Sequence, residues 1–332
     1  MFDTKNKKVL TNVAEITLDN IKDRDSNTSS INKDAINDTF AGNTSNKDDL
    51  TDSKYFYKGL EDDDDFEKVI IAGKTFDLSL KKFITEINGK KPATSREPVV
   101  DVTNLKNGTS TNAEYKMSKT SLTVEEGDIV KYKIRVYNES SISGYAEEVV
   151  DYLPEGLGLL VNYNDNIDNL WSVEEAVNNG NKIIELGTIN NAVKNLKLND
   201  FTGETSLEKA SVLVGKGAKI VSTKLSSSKG SNLIKGFDAE GNKLDYKDIE
   251  VTCIVISDEL EDEQLKNIAE IEKCVDEEKN EVEDRDSKPG TVDINNYPGD
   301  DKKQDDNDYE NLTQEDKKFD LSLQKFITGL ND

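Results

Sequence analysis

Apolar and polar residues alternate one for one through much of the middle of this chain. In VKYKIRVY at 130–137, Val130, Tyr132, Ile134 and Val136 share one face, and Lys131, Lys133, Arg135 and Tyr137 the other. That period of two predicts a half-buried strand of an antiparallel sheet. The preceding TVEEGD, with Gly127 and Asp128, and the following NESSISG supply turns that bound it. Further strands are predicted in FDLSLKKFI at 76–84, EEVVDYL at 147–153, KIIELG at 182–187, IEVTCIVI at 249–256 and NIAEIEKCV at 267–275. A helix signal stands at SVEEAVNN, 172–179, where Ser172 and Glu175 have capping-box spacing. Many short strands with few helical stretches predict an all-β fold, an immunoglobulin-like antiparallel β-sandwich. The unit is about twice the ~100 residues usual for that fold, so insertions are expected, most of all in 158–235.

Internal repetition sets the expected domain limits. FDLSLKKFI at 76–84 returns as FDLSLQKFI at 319–327, LTNVAEI at 10–16 as LKNIAEI at 265–271, and DRDS at 23–26 as DRDS at 284–287. The order of these signals predicts the last strand of a preceding repeat at 1–20, an acidic linker at 21–74 and a complete repeat at 75–276. A second acidic linker at 277–316 and the first strand of a following repeat at 317–332 complete the scheme. Both linkers are rich in Asp, Asn, Ser and Thr, and neither is expected to build a core.

Charge narrows the function classes. The 332 residues hold 43 Lys and Arg against 67 Asp and Glu, a net charge of −24, and no histidine. Histidine-based triads and histidine zinc sites are therefore excluded, and so acidic a surface repels nucleic acid. No apolar run approaches the roughly 20 residues of a membrane helix, and MFDTKNKKVL lacks the apolar stretch of a signal peptide. Cys253 and Cys274 are too few for a disulfide scaffold; on consecutive strands they either face each other or remain free thiols.

Three polar residues break the apolar pattern. Alternation puts Lys82 on the same face as Phe76, Leu78, Leu80 and Ile84, and the second copy keeps this lysine as Lys325 while Lys81 becomes Gln324. A buried ammonium needs a carboxylate partner or a lowered pKa. Asn267 alternates with Ala269 and Ile271, as Asn12 does with Ala14 and Ile16, although asparagine is depleted in strands. Asp151 ends a strand just before the Pro154 and Gly156 turn. Taken singly, each has an ordinary reading as a snorkelling lysine, a turn aspartate and a loop-end hydrogen bonder.

The ordered words FDLSLKKFI, TVEEGDIVKYKIRVYNES, VVDYLPEGL and LKNIAEI resemble repeat domains of Gram-positive surface and fimbrial proteins, related to the isopeptide-forming collagen-adhesin type A module. The resemblance covers most of 75–275 and both partial ends. It implies an intramolecular amide between a first-strand lysine, here Lys82, and a last-strand asparagine, here Asn267, assisted by a buried acid, here Asp151. Lys325 and Asn12 are the equivalent positions of the partial repeats. An apolar core disfavours both charged forms, so a neutral Lys82 amine and a protonated Asp151 are expected. Pre-organisation of amine against amide is worth up to roughly 7–11 kcal/mol of barrier.

The resemblance further implies a cell-surface location, a stalk role, neighbouring repeats as partners, and no enzymatic turnover. Asp23, Asp25, Asp284 and Asp286 of the DRDS pairs, with the acidic run 61–65, are candidate calcium ligands, although no EF-hand spacing is present; their plain reading is a solvated acidic spacer. No other cofactor is expected. The alternative function is a ligand-binding module, for a glycan or a host or matrix protein, using Trp171 and Tyr163 in the 158–235 insertion.

Overall fold

The structure is a computed structural model. It describes residues 8–16, 18, 20, 21, 64–71, 75–173, 182–188, 196, 198–203, 209–215, 217–256, 265–288, 290–294, 297, 304–314 and 321–328. The chain divides into two compact units, 2–74 and 75–332. In the first, β1 (Lys8–Glu15) pairs antiparallel with β2 (Asp64–Ile71), placing Asn12 opposite Glu67.

The second unit is an all-β sandwich of two six-stranded sheets. One sheet runs, in spatial order, β11 (Lys182–Glu185), β12 (Ser211–Val214), β9 (Leu157–Leu160), β14 (Tyr246–Val255), β7 (Ile129–Asn138) and β3 (Leu78–Ile87). The other runs β10 (Trp171–Val173), β13 (Ala218–Ser222), β8 (Gly144–Leu153), β15 (Leu265–Asp276), β16 (Asn307–Gln314) and β6 (Leu122–Val124). Pairing is antiparallel except between β16 and β6, which run parallel. A small hairpin of β4 (Val99–Asp101) and β5 (Glu114–Lys116) lies outside the two sheets, with a one-turn helix α1 (Thr103–Lys106) between its strands. A second short helix, α2 (Asn164–Asp168), follows β9.

The alternation in β7 is realised: Val130, Tyr132, Ile134 and Val136 are wholly buried in a core that both sheets share with Leu78, Leu80, Val149, Leu153, Val251, Ala269 and Ile271. Such apolar burial, at roughly 25 cal/mol per Å², is the main favourable term for the fold. Part of the 158–235 insertion closes a second cluster, where Leu160, Leu186, Phe201, Val212 and Ile254 pack together. Ser172 and Val173 belong to strand β10 and do not start a helix; the rest of the helix expected at 172–179 lies outside the described residues. Cys253 and Cys274 are buried free thiols.

The linker expected at 277–316 is corrected. Its last part is β16, which pairs with β15 along six residues and places Asn267 opposite Glu310. The physical reason is the free edge of β3. Strand β7 serves one side of β3, and the amides on the other side would otherwise be orphaned in the interior. Leu78 N–H donates to Asp284 Oδ2 (3.0 Å), Leu80 N–H to the Asp305 carbonyl (2.7 Å), Lys82 N–H to Asp308 Oδ2 (2.7 Å) and Ile84 N–H to Glu310 Oε1 (3.2 Å). Acidic residues thus complete this edge in place of another strand. The carboxylates are in turn matched: Arg96 ion-pairs with Glu310, and Lys119 Nζ donates to Asp308 Oδ2 (2.7 Å) and to the Lys82 carbonyl (2.8 Å).

The first unit repeats this register. Asn12 faces Glu67 as Asn267 faces Glu310, and Ala14 faces Asp65 as Ala269 faces Asp308. EDDDDFE at 61–67 therefore corresponds to QDDNDYE at 304–310, and the same nine-residue interval separates Glu67 from Phe76 and Glu310 from Phe319. The linker expected at 21–74 is corrected likewise, since 64–71 form a strand. By this correspondence the repeat closes with β16, and only four residues, 72–75 or 315–318, separate that strand from the next FDLSL.

Candidate functional site

Strand alternation carries one lysine into the core. Leu78, Leu80, Lys82 and Ile84 are all at most 1% exposed, and Lys82 stands opposite Ile134 of β7. In the other sheet Asp151 of β8 pairs in register with Ala269 of β15, so Asn267 lies on the same inward face, one step diagonally away. Lys82, Asp151 and Asn267 each have zero exposure.

Lys82 Nζ ion-pairs with Asp151 Oδ2 across the two sheets. Its ammonium also lies 4.9 Å from the centroid of the Tyr132 ring, within reach of the ring's negative face. The Asn267 carboxamide is close enough to Asp151 and Tyr132 to draw both pKa values down, against larger opposing effects. Yet neither Asn267 Nδ2 nor Oδ1 makes a hydrogen bond, and Asp151 Oδ1 and the Tyr132 hydroxyl lack one as well. An unsatisfied buried polar group costs about 1–3 kcal/mol. Four such atoms around one ion pair are not explained by stability.

Burial raises the Asp151 pKa, opposed by the Lys82 charge and by Asn267. Burial also pushes the Tyr132 hydroxyl well above its ordinary value, and the Cys253 thiol likewise, with the Asp151 carboxylate adding to both. The acid is therefore biased towards its neutral form in a setting with little capacity for a lone charge. Tyr132 and Cys253 escaped the sequence reading as site residues because in pattern they are ordinary inward positions of β7 and β14.

The other expected site residues are placed as follows. Asn12 lies on β1 opposite Glu67. Lys325 lies in 321–328, an exposed segment without strand pairing, so the first strand expected at 317–332 is not formed over its described part. Trp171 is 9% exposed and its indole N–H donates to the Glu250 carbonyl (2.7 Å); Tyr163 packs edge-on against Phe201. The indole is thus a core group, not an outward-facing contact for a ligand.

Asp284 and Asp286 come together with Asp77 and Asp305, whereas Asp23 and Asp25 lie outside the described residues. Burial raises Asp284 to about 6 and Asp305 well above the usual carboxylate range, with neighbouring carboxylates adding to each. Among the described residues no helix is long and apolar enough to cross a membrane. Compared with known proteins, the chain matches no family model, and no curated protein matches it in sequence.

Proposed function

We propose that residues 75–314 form a stalk module of a bacterial surface or fimbrial protein, stapled by an amide between Lys82 and Asn267. The observation that carries this reading is a buried Lys–Asp pair beside an asparagine whose carboxamide has no hydrogen-bond partner. A purely structural asparagine at zero exposure would be expected to be satisfied.

The chemistry is balanced without any co-reactant. A proton passing from Lys82 Nζ to Asp151 leaves two neutral groups, the state that a low-dielectric interior favours. The free amine attacks Asn267 Cγ, while the Asp151 acid hydrogen-bonds the amide oxygen and polarises it. The Nζ–Cγ bond forms, the Cγ–Nδ2 bond breaks, and a proton from the amine reaches Nδ2 by way of Asp151. Neutral ammonia leaves, and Asp151 is left as the acid, holding the proton it took from the ammonium. The fold supplies proximity, and the reaction occurs once per chain.

The bond would join strands of opposite sheets, one near the start of the module and one near its end, which suits a rod loaded from its termini. Protease digestion followed by tandem mass spectrometry tests it. The expected product is a branched peptide in which the segments around Lys82 and Asn267 are joined; recovery of both as separate linear peptides would refute it. The glycan- or protein-binding alternative loses its main support with the burial of Trp171.

A further inference from the structure

We propose that Asp77, Asp284, Asp286 and Asp305 form a calcium site that clamps the start of β3 to the chain on either side of the β15–β16 connection. One carboxylate oxygen from each of the four lies within 4.8 Å of the others. Oxygens bound to one calcium ion at about 2.4 Å can be no farther apart than that, so the spacing meets the first condition for all four to share one ion.

A second observation concerns Asp77 itself. Asp77 has zero exposure, and while its Oδ2 pairs with Arg285, its Oδ1 has no hydrogen-bond partner. The Arg285 guanidinium pairs with Asp77 and the Lys81 charge acts on Asp305, so the four carboxylates outnumber the cations near them. The others are oriented by donors: Asn112 Nδ2 reaches Asp286 Oδ2 (2.8 Å) and Asp305 Oδ2 (2.9 Å), and Leu78 N–H holds Asp284. Carboxylates positioned in this way, with one oxygen unsatisfied in the interior, have the hard-oxygen chemistry of a divalent cation site with a preference for calcium.

A third observation comes from the correspondence between the repeats. By the strand register described above, Asp305 corresponds to Asp62, and by the DRDS and FDLSL repeats Asp284, Asp286 and Asp77 correspond to Asp23, Asp25 and Asp320. All four aspartates recur, although the segment between DRDS and the closing strand differs in length between the copies. A solvated spacer needs acidity but not fixed positions.

The test uses the full chain stripped with chelator, with calcium or magnesium added back. Calorimetric titration is expected to show calcium binding in the micromolar to millimolar range. Calcium should raise the melting temperature more than equimolar magnesium does. Asp286→Asn and Asp305→Asn keep side-chain shape while removing a charge, and each should weaken binding at least about tenfold and shrink the thermal shift. A far-UV spectrum matching the wild type establishes that each variant is folded. No calcium binding by the wild type, an equal effect of magnesium, or full binding by both folded variants would overturn the proposal.

Discussion

Asn267→Ala is expected to lower the melting temperature by roughly 10–20 °C. The amide would close a loop of 185 residues, from 82 to 267. By analogy with disulfides, a closure of that length removes about 5 kcal/mol of unfolded-state entropy, and in a domain of this size each kcal/mol shifts Tm by about 2–4 °C. The sign makes the experiment decisive. Without the bond, the same substitution deletes a carboxamide that has no partner, and relieving an unsatisfied buried group is close to neutral or stabilising. A variant that melts at or above the wild-type temperature would therefore contradict the cross-link. Lys82→Ala is a poorer probe, because it also strands Asp151 as an unpaired buried acid.

The second large effect is expected at Glu310, which lies outside the proposed cross-linking chemistry. Its carboxylate is fully buried, accepts from Arg96 Nε at 2.8 Å and from the Ile84 amide at 3.2 Å, and pairs with Arg96 Nη2 as well. Glu310→Ala leaves a guanidinium that is 3% exposed without its counter-charge and uncaps the edge of β3. Breaking a buried pair in this way costs about 3–5 kcal/mol. Denaturant unfolding should show the loss as a lower midpoint, and a chain ended before residue 305 should fail to unfold cooperatively. A Glu310→Ala protein within 1 kcal/mol of wild type would mean that β16 stands outside the cooperative unit.

Strand β16 also shows where the sequence stopped being readable. Strands β3, β7, β8, β14 and β15 announce themselves because each packs apolar side chains on the shared core. In NDYENLTQ the inward and edge-facing positions are Asp308, Glu310 and Leu312. Their acids are consumed by backbone amides, Lys119 and Arg96, partners that come from distant parts of the chain. Residue-by-residue polarity therefore resembles a solvated spacer. The usable signal was the repeat itself, in the match of EDDDDFE to QDDNDYE at constant distance from FDLSL.

The candidate site was more accessible for a related reason. Lys82 and Asn267 interrupt strong apolar alternation, and a polar residue where the pattern demands an apolar one is informative. Asp151 follows Val149 and Val150 on a strand whose inward face also carries Leu153. That Tyr132 and Cys253 would border the same buried ion pair required the pairing of β7 with β14, in which Tyr132 stands opposite Val251 and Cys253 opposite Val130. The four-aspartate cluster was half visible: Asp284 and Asp286 stand out in a repeated DRDS, whereas Asp77 and Asp305 join them only through the edge contacts of β3.

The most direct measurement is the intact mass of the denatured, purified chain beside its Lys82→Ala, Asn267→Ala and Asp151→Ala variants. With the cross-link, the wild type is lighter than its sequence mass by one ammonia, and each variant has its full calculated mass. A wild type at full sequence mass would contradict it.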